Sequence, residues 1–502
     1  MKQPDTGYRG FRSAGTRLTE EPLAHLDFHR SSLLGESVHA IHAFDKAHAV
    51  MLTETGIIPR DIGAALLGGL LTMEEEGVAE ARNRVDGGMH SGEHYLIGTL
   101  GDDVGGYLHI GRSSGDLAEV ARRLTVRNHV HRLMAALCEV RQALIELAGR
   151  HRDTVMPGYT HGQHAQPTTF AHWLTMFEAV FARDTARLMS FHLRLNSSPA
   201  GAAILTGSDF PIDRHRVSQL LGFDQPLPHT MDAILSQDIL MEYVGVLATL
   251  AQGLARMAED LFLWSTTEFA MVELPDRYCG TSSIMPQKKN PDGLEDMKSI
   301  SARAMGAVTT VMVAERGPTG FPIMERRSSQ AILWELGRDL AVRLETLGPL
   351  LRDLKVHDDR MLELAGANWA QVTDLAGALV RDTHIPWRTA HQIVAVFVRQ
   401  AKEAGIAPAK ATSRQLDAAA KTLGHAAPGL SAAAFAAAMN PATFVKRRVL
   451  YGGPAPSAVA SELVQLAKSL EADQGRVDAM AGQAEDARQM LEQTVRSFAV
   501  TA

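Results

Sequence analysis

The segment Gly280-Thr281-Ser282-Ser283-Ile284-Met285-Pro286-Gln287-Lys288-Lys289-Asn290-Pro291 gathers residue types that handle protons and anions. Small and hydroxylated residues run up to a proline, which marks its start as a loop. Asn290-Pro291-Asp292 then supplies an N-cap, a proline at the first helical position and an acid in the first turn. A helix N-terminus beside Lys288 suits a substrate anion. Residue types alone fit a capped surface turn equally well. A second constellation, His90-Ser91-Gly92-Glu93-His94, fits the H-x-x-E-H pattern of zinc peptidases. So short a pattern recurs by chance in a chain with 21 histidines.

The loop resembles the signature of the fumarase/aspartase superfamily, Ser-Ser-x-Met-Pro-x-Lys-x-Asn, with Thr281 where argininosuccinate lyases usually carry glycine. Met156 to Pro167 (MPGYTHGQHAQP) is similar to their Thr-His-x-Gln-x-Ala-Gln-Pro block. His109-Ile110-Gly111-Arg112-Ser113-Ser114-Gly115-Asp116 resembles their Gly-Arg-Ser-Arg-Asn-Asp block, with changes. Weaker echoes run from Gly56-Ile57-Ile58 through Phe210-Pro211-Ile212-Asp213 to Thr373-Asp374-Leu375-Ala376, so the likeness spans most of the chain. The segment around His90 echoes a His-Thr-x-x-Glu stretch of the same enzymes, which weakens the zinc reading.

The resemblance implies β-elimination of an amine from an N-substituted aspartate, releasing fumarate, with no cofactor and no metal. It implies Ser282 as the base. A serine is a poor base unless its anion is stabilised, which Lys288 and the loop and helix-start amides would do. His161 handles the amine side, oriented by Glu295. Asn290 anchors a substrate carboxylate, and Ser113, Thr160 and Ser283 add hydroxyl donors, with Arg112, Ser114, Gln166 and Met285 also around the substrate. Cys279 reads as a packing residue, since nothing adjacent activates a thiol.

Argininosuccinate lyases carry arginine and asparagine where this chain has Ser114 and Gly115. Their Thr-Tyr-Asn-x-Asp-Leu-Gln-Glu-Asp-Lys segment, which helps hold the arginine moiety, is replaced by Gly320 to Ser329 (GFPIMERRSS). Phe321 lacks the tyrosine hydroxyl, and Arg326 and Arg327 suit a carboxylate better than a guanidinium. The expected substrate is therefore an aspartate N-linked to an anionic amine, as in the ethylenediamine-disuccinate and iminodisuccinate lyases of this family. Argininosuccinate is the alternative. Inactive lens crystallins share the scaffold, but Ser282, His161, Lys288 and Glu295 together argue for an enzyme.

Long helices must position these blocks. No proline lies between Pro59 and Pro157, and Val126, Val130, Leu133, Leu137, Val140, Leu144 and Leu147 recur in alternating steps of four and three. Leu240, Tyr243, Leu247, Leu250, Leu254, Met257, Leu261 and Trp264 repeat the pattern within a helix expected over about 231–269, roughly 55–60 Å long. That is the seam of helices packed lengthwise. Strand signals are sparse, so the expected fold is all-α. The expected units are an N-terminal helical domain, 1–110; a central long-helix bundle, 111–359, carrying the 279–291 loop; and a C-terminal helical domain, 360–502. Glycines in Gly101 to Gly111 mark the first boundary, and Tyr451-Gly452-Gly453-Pro454 precedes a last helix from Ser457 to about Ser497. Helices of this length imply a homotetramer, and the family implies active sites shared between subunits. The chain has 502 residues, 45% hydrophobic and 21% charged, with net charge −7, which gives no footprint for nucleic acid or acidic membranes. Cys138 and Cys279 are too few for a disulfide framework. The polar start MKQPDTGYRGFRSAGTRLTEEP has no apolar signal region, and the expected compartment is the cytoplasm.

Overall fold

The computed structural model describes residues 35–85, 88–320 and 325–499. The polar start of the chain and Phe321 lie outside these residues. The described chain is helical almost throughout. Its N-terminal part holds α1 (Ser37–Glu54), α2 (Arg60–Glu75), α3 (Val78–Val85), α4 (Ser91–Leu100) and α5 (Asp102–Gly105). The long α6 (Ser114–Arg150) follows, then a hairpin of β1 (Val155–Thr160) and β2 (Gln163–Thr169). The centre continues with α7 (Phe170–Leu195), α8 (Arg214–Leu220), α9 (Thr230–Leu235), α10 (Asp238–Trp264), α11 (Asp292–Ala314) and α12 (Arg326–Asp353). Short helices α13 (Asp358–Gly366), α14 (Val372–Thr383), α15 (Trp387–Glu403), α16 (Ser413–Thr422), α17 (Ala432–Ala438) and α18 (Pro441–Lys446) lead to α19 (Pro456–Ala499).

The heptad-spaced residues of α6 and α10 are buried together with facing positions of α7, α11 and α12, forming the largest core cluster. Helix α6 persists for 37 residues because Ser113 and Asp116 form a capping box at its start and no proline interrupts it. Helix α10 is shorter than its periodicity suggests. It spans 27 residues, about 40 Å. The chain turns extended at Ser236, whose carbonyl accepts from Arg326 Nη2 at 3.3 Å. At the other end the Ser265 and Thr266 hydroxyls bond back to the Phe262 and Leu263 carbonyls. By length and composition α10 could cross a membrane, but here it is a core helix packed against α7, α11 and α12.

The chain direction alternates along the bundle. Arg123 on α6 donates to the carbonyls of Arg194 and Leu195 at the end of α7, and Arg150 donates to Arg352 near the end of α12. One end of the bundle therefore gathers the starts of α6, α10 and α12. The other gathers the hairpin, the start of α11 and the loop before it.

The expected 360–502 unit is corrected by α19. A separate C-terminal core runs only from Trp369 to Ala438. Helix α19 leaves it and packs along α6 and α7, then α8, α2 and α1. Asp473 and Glu178 flank the fully buried Arg141, at 2.7 and 2.8 Å. Leu491 and Val495 complete the N-terminal core, which also takes Leu117 to Leu124 from the first turns of α6. The 110/111 boundary thus divides the chain but not the packing.

Candidate active site

The 279–291 loop is closed at its base by antiparallel pairing of Gly280 with Asn290 and Thr281 with Lys289. A Cβ at Gly280 would lie 1.9 Å from Asp292 Oδ2, so a larger residue there would displace the Asp292 carboxylate. Within the loop, Ser282 Oγ accepts hydrogen bonds from the amides of Met285 at 3.0 Å and Ile284 at 3.3 Å. Two amides aimed at one hydroxyl oxygen favour its anion. Lys289 is taken up by Glu273 at 3.2 Å and Asp276 at 2.7 Å. Lys288 is exposed and forms no ion pair among the described residues, so its ammonium is available to a substrate. Ser283 and Met285 are exposed, and Ile284 is 84% exposed, unusual for an isoleucine.

The helix after the loop starts one residue later than the sequence suggests. Pro291 is the N-cap, without a side-chain bond, and Asp292 is the first helical residue. Asn290 lies in the short strand, so its amide is not spent on capping. Glu295 is exposed in the first turn of α11. Cys279 Sγ donates to the Pro275 carbonyl at 3.5 Å and burial raises its pKa, which suits packing and not a thiolate.

His161 sits at the tip of the β1/β2 hairpin. Thr160 pairs with Gln163, leaving a two-residue turn with φ of 56° at His161 and 68° at Gly162. Both values are left-handed, the backbone of a type I′ turn. A histidine rarely adopts it, and the turn projects His161 and Thr160 into solvent. Gln166, also exposed, donates to Thr373 Oγ1 at 3.2 Å and ties the hairpin to α14.

The third block lies elsewhere. Arg112 is buried, its Nη2 2.7 Å from Asp45 Oδ1, while Nε and Nη1 have no hydrogen-bond partner among the described residues. Burial alone would raise the Asp45 pKa, but Arg112 and Arg82 outweigh it and hold it down at about 2. Ser113 Oγ accepts from Gly115 N at 3.0 Å, and Asp116 accepts from Ser113 N at 2.9 Å. Ser114 is half-buried in the first turn of α6. This block stands at the α6 start, whereas Ser282, Lys288, Asn290, Glu295 and His161 stand at the opposite end. Across the 37 residues of α6 the separation is about 55 Å. One chain brings together the loop residues but does not bring Ser113 to Ser282. No hydrogen bond or ion pair among the described residues joins Ser282, His161 and Ser113 to one another.

The expectation for Arg326 needs correction. Its guanidinium is buried between Glu315 and Glu119, at 2.9 Å from each, and so is already neutralised. Sequence spacing hid this because Glu119 lies 207 positions away. The arginine that lines an open cleft of about 730 Å³ at this end of the bundle is Arg316, with Thr309, Thr310, Ser328 and Glu325. Neither Arg316 nor Asp45 was singled out in the sequence, since neither belongs to a recognisable block.

Comparison with known proteins identifies the family. Residues 45–306 match the lyase family, and residues 369–446 match the argininosuccinate lyase C-terminal family. The chain is 36% identical to the argininosuccinate lyase of Methanosarcina barkeri over 91% of its length and 92% of that protein's. It is 38% identical to the argininosuccinate lyase of Methanosarcina acetivorans over 82% and 84%. Among solved structures, EDDS lyase in complex with formate superposes with a TM-score of 0.85 at 32% identity, covering 93% of each chain. The chain belongs to the fumarase/aspartase superfamily, in its argininosuccinate lyase-like branch, and is a carbon–nitrogen lyase of the fumarate-releasing kind.

Proposed function

We propose that the chain removes an anionic amine from an N-substituted aspartate, with Ser282 as the base. The observation that carries the reaction is the pair of amides on Ser282 Oγ. They lower the cost of the serine anion, with Lys288 adding positive charge. Ser282 Oγ takes the proton from the carbon beside the substrate carboxylate. Those electrons form the fumarate double bond as the C–N bond breaks, and the amine leaves with a proton delivered from His161 or a water it orients. Asn290 and the amides at the α11 start hold the carboxylate on which charge develops, and Glu295 orients His161. Thr160, Ser283, Gln166 and Met285 line the same pocket.

The reading includes a homotetramer in which Arg112, Ser113 and Ser114 of one subunit complete a site whose loop comes from another. Its support is the separation along α6 and the exposed apolar residues on the bundle helices: Met176, Leu193, Leu263, Met305, Met312 and Val342. Long helices with such faces bury them against neighbours. Arg112 Nε and Nη1, buried and without a hydrogen-bond partner among the described residues, are the donors this reading gives to a substrate carboxylate in that assembly.

For the amine, Arg316 and the cleft hydroxyls support a carboxylate-bearing group, as do Ser114 and Gly115 in place of the arginine and asparagine of argininosuccinate lyases. Glu325, on the same cleft, together with the named relatives, favours argininosuccinate as the second reading. Fumarate release, followed by ultraviolet absorbance, separates them. Ethylenediamine-disuccinate or iminodisuccinate should give the higher kcat/KM, and preference for argininosuccinate would establish the second reading.

A further inference from the structure

The H-x-x-E-H segment has no role in the lyase reading, and the structure changes its membership. His90 is the N-cap of α4, Glu93 lies in its first turn, and His109 arrives from the segment between α5 and α6. Glu93 Oε2 lies 3.5 Å from His109 Nδ1 and 4.0 Å from His90 Nδ1. The two imidazoles stand edge to face, 4.9 Å between centroids. One donor atom from each of the three side chains lies within 4.8 Å of the others. The Glu93 side chain is 8% exposed, and its Oε2 has no hydrogen-bond partner among the described residues. A carboxylate oxygen desolvated in this way, between two imidazoles, is costly unless something pairs with it.

We propose that His90, Glu93 and His109 bind a divalent transition-metal ion of the Zn²⁺ or Co²⁺ class. Donors about 2.0–2.1 Å from a tetrahedral centre lie roughly 3.3 Å apart, so the observed spacings close with small side-chain movements. Two imidazoles with one carboxylate select borderline ions over Mg²⁺ or Ca²⁺. The position left open takes water. Nearby charge moderates the affinity. Arg82 and Arg112 share Asp45, which leaves one net positive charge beside the site. Micromolar binding is the expected order. The ion would tie α4 to the chain three residues before Arg112, steadying the segment that leads into α6. This is a positioning role, independent of the lyase reading, and it departs from the expectation of no metal drawn from the sequence.

The test begins with chelator-stripped full-length protein titrated with Co²⁺. One equivalent per chain should give the visible ligand-field absorption of a low-symmetry site, and Zn²⁺ should abolish it. Glu93→Gln and His109→Gln should each weaken binding at least about tenfold, since even partners behind metal ligands are worth that much. His425→Gln, on an exposed histidine, should not. No binding at up to about a hundred times the micromolar level expected here, or binding indifferent to both substitutions, overturns the proposal. Should those variants misfold, a Zn²⁺-soaked crystal of the unaltered chain decides. An anomalous peak among the three side chains supports the site, and a peak only elsewhere removes it.

Discussion

Ser282 offers the most direct test of the chemistry, because only its hydroxyl is asked to react. Ser282→Ala should lower kcat by roughly 100-fold or more, the usual cost of losing a positioned base. Its thermal midpoint should stay close to that of the unaltered chain, since the loop keeps its strand pairing. Retention of more than about a tenth of the activity would move the role to another group. The arginines make a second residue-scale test. Arg316→Gln should raise KM for a carboxylate-bearing amine by about 10-fold or more, the loss of one charge-assisted contact, with little change in stability. Arg326→Gln should instead destabilise the fold by about 3–5 kcal/mol, because it strands Glu315 in the interior, while Glu119 keeps Arg122. The opposite pattern, a KM effect from Arg326 alone, would restore the assignment drawn from the sequence. Contiguous motifs are what mark Ser282, Lys288 and His161 as candidates. Arg326 was misread because its partners are brought to it by packing between distant helices, which no local pattern records.

Among the elements, the long helices were readable from their seams, while the places where helices stop were not. The break at Ser236 has its carbonyl on Arg326, 90 positions away, and the His161 hairpin is hidden because Gln163 to Thr169 lacks apolar alternation; the His-Gly pair at its tip is the available signal. The start of α6 carries a consequence for stability. Burial pushes the Asp116 carboxyl from its ordinary 3.8 up to about 7, against the pull of the Ser113 amide and Arg112. The folded chain therefore keeps this proton between about pH 4 and 7, where the unfolded chain releases it. The stability it contributes is complete below pH 4 and is lost as pH rises through 7. Asp116→Asn removes the titration. The stability of the unaltered chain minus that of the variant, from denaturant unfolding, should fall by on the order of 3–4 kcal/mol between pH 4 and 8. A difference flat with pH would show that Asp116 is ionised in the folded chain.

The whole molecule imposes the strongest constraint, because a rigid helix of 37 residues separates two halves of one proposed site. Side-chain motion cannot close about 55 Å, so either the Ser113 block plays no part or another subunit supplies it. Mixing two inactive variants distinguishes these cases. Ser113→Gly removes the hydroxyl while keeping a residue tolerated at an N-cap, at a cost of a few tenths of a kcal/mol. Ser282→Ala removes the base. If each site takes its loop from one subunit and its Ser113 block from another, equal amounts co-assembled from the unfolded state should restore about a quarter of normal activity. A site works only when the loop comes from the Ser113 variant and the block from the Ser282 variant, each with a chance of about one half. Light scattering on the same samples should give a tetramer, and a monomeric mass at micromolar concentration would remove the shared site altogether. Activity of the mixture no higher than that of its two components, despite a tetrameric mass, would mean that Ser113 acts only as the cap of α6.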